Sequence, residues 1–388
     1  MSTPITIAVD VSCLCARPLT GVGYYTLHLF RALASESPEC RLRFFASSAR
    51  GPRLAADALG ALGESMRCAH WPSRLKHTLW TRLEWPPIEW FTGPADIAHG
   101  GFHLLPAACG AKRVVTIFDL SGLRCAGTRR ESNLAMHLRL LRHAAARADG
   151  IIVISQSCRN DVIELLRAPE DRLHVVYGGV FLDEFAGELD LGRLGAVKAA
   201  HGIRGEYLIH LGTLEPRKNL PRLIRAYDRV RRMLACPPQL VLAGSAGWMY
   251  EDIFETIRAS GLEGLAVHTG YLSREDAVLL LRGARACVYP SLYEGFGLPV
   301  LEAMAARTPV LTSNVSSLPE VVGACGVLVD PHSEDAIADG LARLLDNEAA
   351  AAARAEAGYA RAAAFTWQAS ARALAGVYQS LSAGGHRA

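Results

Sequence analysis

The chain has 388 residues, half of them apolar and a fifth charged, which is more than one hydrophobic core usually organises, so two domains are expected. A formal charge of +3 over this length argues against a nucleic-acid binder, which would carry a dense Lys/Arg stripe with interleaved aromatics. The ten cysteines, spread from Cys13 to Cys325, form no Cys-x2-Cys pair and no His-matched zinc spacing, so most are expected to be small buried side chains in a reducing compartment.

Met1 to Val11 lacks the basic patch, apolar run and cleavage site of a signal peptide, and no apolar stretch is long enough to span a bilayer. The expected location is the cytoplasm, or the cytoplasmic face of a membrane at its periphery. Ile5 to Val11 reads as a strand buried on both faces, as do Leu42 to Phe45, Val114 to Phe118 and Ile151 to Ile154. Between them, Tyr25 to Ala34 and Leu134 to Ala146 carry apolar residues at helical spacing, so the first half is α/β with a parallel sheet. Thr20-Gly21-Val22-Gly23-Tyr24 joins the first strand to the first helix. Gly21 and Gly23 would let a ligand approach the backbone there, although such a turn equally serves tight packing. Trp80, Trp85 and Trp90, punctuated by Pro86-Pro87, are expected in the core rather than along a groove. Arg124, Arg129, Arg130, Arg139, Arg142 and Arg147, with His137 and His143 against Glu131, form a basic stretch that is either a solvated face or a contact for anionic lipid headgroups or a lipid-diphosphate-linked acceptor.

An irregular stretch after Tyr177-Gly178-Gly179-Val180 marks a domain boundary. A second strand series follows at Tyr207 to Leu211, Leu240 to Ala243, Leu265 to Thr269, Ala286 to Tyr289, Pro309 to Thr312 and Val327 to Val329. The division predicted is 1–190, 200–365 and a C-terminal helix in 366–388, whose Trp367, Ala371, Leu374 and Tyr378 would pack back on the first domain. The Ala-rich segment Asp346 to Ala364 is expected to be an exposed helix.

Two segments of the second half carry chemistry. After its first strand, Gly212-Thr213-Leu214-Glu215-Pro216-Arg217-Lys218-Asn219 sets two cations beside a helix start, with Asn219 as a candidate cap. Fixed Arg and Lys charges oppose the negative charge that builds on a departing diphosphate, and no Asp-x-Asp occurs to hold a divalent ion instead. The second segment runs from Tyr289 to Ala305 and contains Glu294-Gly295-Phe296-Gly297-Leu298-Pro299 and Glu302. A strand, a glycine loop and a proline-opened helix build an anion-ready N-terminus, with one acid before the loop and the other one turn into the helix. One carboxylate would reach a sugar and the other the hydroxyls of a ribose.

Together with Val153-Ile154-Ser155-Gln156-Ser157, Arg172 to Val180, Gly270-Tyr271-Leu272 and the Trp367 helix, these segments resemble family 4 of the retaining glycosyltransferases over nearly the whole chain. That resemblance implies the GT-B fold: two Rossmann-like, doubly wound parallel-sheet domains facing a cleft. It implies donor binding by the second domain and acceptor binding by the first, with Arg217 and Lys218 on the diphosphate, Glu294 and Gly295 to Leu298 on the donor sugar, and Glu302 on the ribose. Gly21, Gly23, Gly212 and Thr213 would shape the donor site. No cofactor or metal is implied; the substrate is a nucleotide sugar, with GDP-mannose the first choice and a UDP-sugar the alternative, and the acceptor is a glycan or a lipid-diphosphate-linked glycan. Likeness is greatest to bacterial mannosyltransferases of surface polysaccharides.

One departure stands out. Related sequences often place His-Asp where this chain has Phe118-Asp119, which leaves Asp119 as an acceptor-side carboxylate and His99 and His103 as substitutes for the missing histidine. Phe118 also motivates the alternative reading, a catalytically silent protein that binds sugar nucleotides or partners on the same fold. A nicotinamide-dependent oxidoreductase is discounted for want of a complete Gly-x-Gly-x-x-Gly turn with its ribose-binding acid.

Overall fold

A computed structural model describes residues 4–16, 19–49, 51, 53–64, 66–125, 127 and 131–383. The described residues fall into two compact units. One comprises Met1–Leu123, Arg129–Gly179 and Phe365–Ala388, and the other Arg124–Thr128 and Val180–Ala364.

The first unit is a seven-stranded parallel sheet: β1 (Ile5–Asp10), β2 (Cys40–Ser47), β3 (Arg67–Ala69), β4 (Ile97–Gly100), β5 (Lys112–Ile117), β6 (Gly150–Val153) and β7 (Leu173–Val175), in spatial order β3-β2-β1-β4-β5-β6-β7. Helices on both faces explain the near-continuous burial of β1, β4 and β6. The helix Gly21–Glu36 is capped by the Thr20 hydroxyl, which accepts from the Gly23 N–H, and it buries Tyr25, Leu29, Phe30 and Leu33. Against it lies the helix Trp367–Ala383, whose buried residues Trp367, Ala371, Leu374 and Tyr378 repeat at helical spacing. Gly179 is required at this return of the chain, since a Cβ there would lie 2.4 Å from the Trp367 nitrogen.

The second unit is a six-stranded parallel sheet: β8 (Tyr207–Leu211), β9 (Gln239–Ala243), β10 (Ala266–Gly270), β11 (Ala286–Tyr289), β12 (Val310–Ser313) and β13 (Val327–Val329), in order β10-β9-β8-β11-β12-β13. Its core joins Leu208, Leu240 and Val288 of the strands to Leu223, Ile224 and Tyr227 of the helix Leu220–Arg231 and Ile337 and Leu341 of the helix Glu334–Asp346. Chain order reverses between β8 and β11, and in the first unit between β1 and β4. In open α/β sheets, ligands bind beyond the carboxyl ends of the strands at such reversals.

Several sequence expectations are revised. Residues 180–190 go with the second unit, because Glu184 pairs with Arg274 and Phe185 packs under the Arg274 guanidinium, 5.5 Å from the ring centroid. The Ala-rich helix Glu348–Ala362 is half-buried: Ala351, Ala355, Gly358 and Ala362 form a smooth buried face, and a Cβ added at Gly358 would lie 3.4 Å from the Met304 side chain. Only three of the ten cysteines, Cys40, Cys158 and Cys287, are buried, and all ten are free thiols. Of the tryptophans expected in the core, Trp80 is there, whereas Trp85 and Trp90 are exposed.

Candidate active site

Beyond β8, Gly212 takes φ +151, a value that L side chains rarely adopt. An added Cβ would face Lys218 Cε, His210 Nε2 and the Tyr289 hydroxyl, all 3.7–3.8 Å away, so Gly212 forms one wall of a small polar cluster. The chain then turns through the short 3-10 helix Pro216–Lys218 and a left-handed Asn219 into the helix Leu220–Arg231. Asn219 does not cap that helix with its side chain. Its Nδ2 donates to the carbonyls of Pro290 (3.1 Å) and Pro331 (2.7 Å), which pins the turn to the loops after β11 and β13. The Leu292 N–H, donating to the Arg217 carbonyl at 2.9 Å, completes the seam.

Across this seam the two motifs meet. Glu294 Oε1 accepts from Arg217 Nη1 and Lys218 Nζ, each at 2.7 Å. Arg217 also donates to the Tyr293 carbonyl at 2.7 Å and pairs through Nη2 with Glu215, and Lys218 also donates to the Tyr289 hydroxyl. The side chains of Lys218, Glu294 and Glu215 are buried, and two cations are balanced by two carboxylates. Burial opposes ionisation of Glu294, but the charges and hydrogen bonds of Arg217 and Lys218 outweigh it and hold its carboxyl at about 2. Burial, reinforced by the Arg217 charge, pushes the Lys218 ammonium down. His210 stacks on Tyr289, with centroids 4.9 Å apart and planes at 11°, and its Nδ1 lies 3.1 Å from the Val288 carbonyl. That fixes Nδ1–H as the donor, and burial then the nearby Lys218 lower the ring to about 3, so it stays neutral.

The loop from Glu294 to the helix Leu298–Ala305 is fixed from behind. Ser317 Oγ donates to the carbonyls of Glu294 and Phe296, and the Glu294 N–H donates to Ser316 Oγ. Gly295 and Phe296 are buried, Leu298 is half-buried, and Gly297 at φ +107 is the left-handed residue that starts the helix. Thr213 is exposed beside Gly212. Glu302, inside the helix, has a different cation from Glu294: its Oε1 accepts from Arg274 Nη1 at 2.5 Å, and Arg274 also grips Glu184. Burial raises Glu302's affinity for its proton, Arg274 lowers it, and burial prevails. Sequence reasoning missed Arg274, Glu215 and Tyr289. Glu215 was visible beside the cations, whereas nothing local marks Arg274, 28 positions from its partner.

In the first unit the candidates behave differently from one another. Gly21 opens its helix with nothing within 4 Å of an added Cβ, whereas a Cβ added at Gly23 would lie 3.0 Å from a Leu19 methyl. His99 is a core hydrogen bonder, contrary to its assignment as an acceptor group: Nδ1 pairs with the Tyr378 hydroxyl, Nε2 with Thr116 Oγ1 at 2.8 Å, and the side chain is buried. His103, left-handed at φ 45, sits buried beyond β4 among the rings of Phe102, His137 and Phe118. Phe118 is also buried and meets Tyr25 edge-on at 5.1 Å. Asp119 accepts from the Ser121 N–H (3.0 Å) and Oγ (2.6 Å), so its carboxylate opens the short helix Ser121–Arg124. Arg129 and Arg130 lie outside the described residues. Among the described residues, no three His, Cys, Asp or Glu side chains converge as metal ligands.

Residues 19–184 match the family described as Glycosyltransferase Family 4, and residues 197–361 match Glycosyl transferases group 1. O-antigen chain mannosyltransferase B of Escherichia coli is 30% identical over 370 residues, covering 90% of this chain and 93% of that protein. Among solved structures, sucrose-phosphate synthase from Thermosynechococcus elongatus superposes with a TM-score of 0.76 at 20% identity, covering 98% of this chain and all of that one. Anabaena HepE in complex with UDP and glucose superposes at 0.72 and 17% identity, covering 97% and 100%.

Proposed function

Because this chain belongs to the family 4, group 1 glycosyltransferases and has their GT-B fold, we propose that it transfers a hexose from a nucleoside diphosphate to a glycan or lipid-diphosphate-linked glycan in surface polysaccharide synthesis. Mannose from GDP-mannose is the first choice, supported by the likeness to an O-antigen mannosyltransferase, with a UDP-sugar as the alternative. A lipid-linked acceptor would be met at the cytoplasmic surface of the membrane, which is where we place the reaction.

The observation that carries this reading is the cluster of half-buried Arg217 with buried Lys218 and Glu294 at the β8/β11 reversal. Arg217 and Lys218 face the diphosphate and offset the charge that grows on its oxygen as the bond to the sugar C1 breaks. They sit preorganised, so the departing group meets fixed charges rather than reorienting solvent. Glu294, ionised at every physiological pH, accepts from sugar hydroxyls and holds the two cations in place. Glu302 accepts from the ribose hydroxyls, Gly295 to Leu298 cradle the donor, and Gly212 and Thr213 line it. In a retaining transfer the acceptor oxygen bonds to C1 on the face the diphosphate leaves, and its proton passes to the leaving phosphate oxygen. No protein base and no metal ion is then needed. Asp119 and His103 remain the acceptor-side candidates.

A donor panel with EDTA present and a lipid-diphosphate-linked acceptor tests the reading, with the new linkage followed by NMR. An α-linked product from an α-linked donor is expected. A β-linked product, or turnover only when a divalent ion is restored, would refute retention or metal independence respectively.

A further inference from the structure

Four large apolar side chains of the first unit are exposed among the described residues, and all lie between positions 75 and 90: Leu75 (47%), Leu83 (66%), Trp85 (48%) and Trp90 (66%). The segment that carries them is firmly seated. Lys76 is buried on Asp10 at 2.7 Å, Trp80 is buried with its Nε1 donating to the Pro86 carbonyl at 3.0 Å, and Ile88 is fully buried. Its inner residues therefore fix which side chains face outward, and Trp85 and Trp90 stand edge to face with centroids 5.6 Å apart. Solvent-facing tryptophans held rigidly in this way leave apolar area uncovered that a monomer in water would bury.

Unpaired positive charge lies on the same segment and on the helix beside it. Arg74, Arg82, Arg139 and Arg142 are exposed and have no carboxylate partner among the described residues. Arg139, Arg142 and His143 of the helix Glu131–Arg147 join Thr81, Ala135 and Leu138 around an open depression of about 600 Å³. Of the two acids in the 75–90 segment, Glu84 is already met by Arg113 (3.3 Å), His143 (3.4 Å) and Arg147 (3.9 Å), and Glu89 accepts from the backbone N–H groups of Cys109, Gly110 and Ala111, so neither pairs with these guanidinium groups.

We propose that this face, built from Leu75, Leu83, Trp85, Trp90, Arg139 and Arg142, docks the protein on an anionic phospholipid surface. Indoles and leucines enter the headgroup boundary, where an amphipathic ring is at home, while the guanidinium groups pair with phosphates. A second copy of the chain is a poorer occupant, since a two-fold contact would set the arginines against their own images. The lipid-linked acceptor gives this docking its purpose, but the residues are separate from those that bind the donor, so the two readings fail separately.

Cosedimentation of the full chain with vesicles tests it, using phosphatidylcholine alone and equal parts phosphatidylcholine and phosphatidylglycerol. The wild type is expected to pellet with the anionic vesicles, with a blue shift in tryptophan emission, and to be released by salt. Arg139→Gln with Arg142→Gln should weaken this binding about thirtyfold, and Trp85→Ser with Trp90→Ser should reduce it to the level seen with phosphatidylcholine. Nucleotide titration should be unchanged in both pairs, which also reports that they are folded. Wild type that stays in the supernatant, or variant pairs that pellet as the wild type does, would overturn the proposal, as would a tryptophan pair that alters only the oligomeric state in sedimentation velocity.

Discussion

Glu294 and Glu302, eight positions apart, are shifted in opposite directions: the first carboxyl is held at about 2 by Arg217 and Lys218 against its burial, and the second is raised by burial despite Arg274. A carboxyl depressed below its unfolded value of 4.5 adds stability that is full above that pH and is lost as pH falls towards 2. Glu294→Gln leaves the buried Lys218 without its carboxylate while Arg217 keeps Glu215, so a loss of about 3 kcal/mol is expected in urea denaturation at pH 7, shrinking as the pH approaches 2. For Glu302 the sign reverses: a raised carboxyl favours the folded state below its unfolded value, and that contribution fades as pH rises through the folded one. Glu302→Gln should therefore keep or gain stability at pH 7 while weakening nucleoside diphosphate binding. Equal loss of stability in both variants would mean that Glu302 is a structural acid. Arg274→Ala, which leaves Glu302 buried without its cation, should weaken nucleotide binding progressively more as pH falls, with Arg274→Lys restoring part of it.

At the scale of elements, the two glycine turns make different demands. Gly297 combines φ +107 with a Leu318 methyl 2.9 Å from any added Cβ, so Gly297→Ala should cost about 1–3 kcal/mol by thermal denaturation. Gly21 begins a helix in open space, and Gly21→Ala should leave stability within about 0.5 kcal/mol while lowering turnover if substrate approaches there. Both turns were legible in the sequence, because glycine and proline punctuate a strand-to-helix junction wherever it occurs. The long buried strands were legible for the same reason, as parallel strands covered on both faces are apolar throughout. The strands β3, β4 and β7 were not, since Arg67, His99 and His174 interrupt their short apolar runs. The seam at Asn219 was hidden as well: a capping residue and a residue that staples two loops look alike until the loops are brought together. Trp85 and Trp90 misled for a related reason, as composition alone places tryptophan inside.

For the whole molecule, the chain crosses between its compact units and returns at Phe365 to finish the first. Burying Trp367, Leu374 and Tyr378 there is worth roughly 1.5–3 kcal/mol each, so removing residues 365–388 should leave the first unit unfolded by circular dichroism. Trp367→Ala alone should cost about 3–5 kcal/mol. The cluster of Arg217, Lys218 and Glu294, by contrast, is assembled wholly from the second unit, from the turn at 216–219 and the loop after β11. The measurement that tests this account most directly is isothermal titration of the EDTA-treated protein with GDP and UDP, beside the Arg217→Ala variant. Saturable metal-free binding of one nucleotide, weakened at least tenfold in a variant that remains folded, is the result predicted. Binding that is absent for both nucleotides, or that survives loss of Arg217 unchanged, would contradict it.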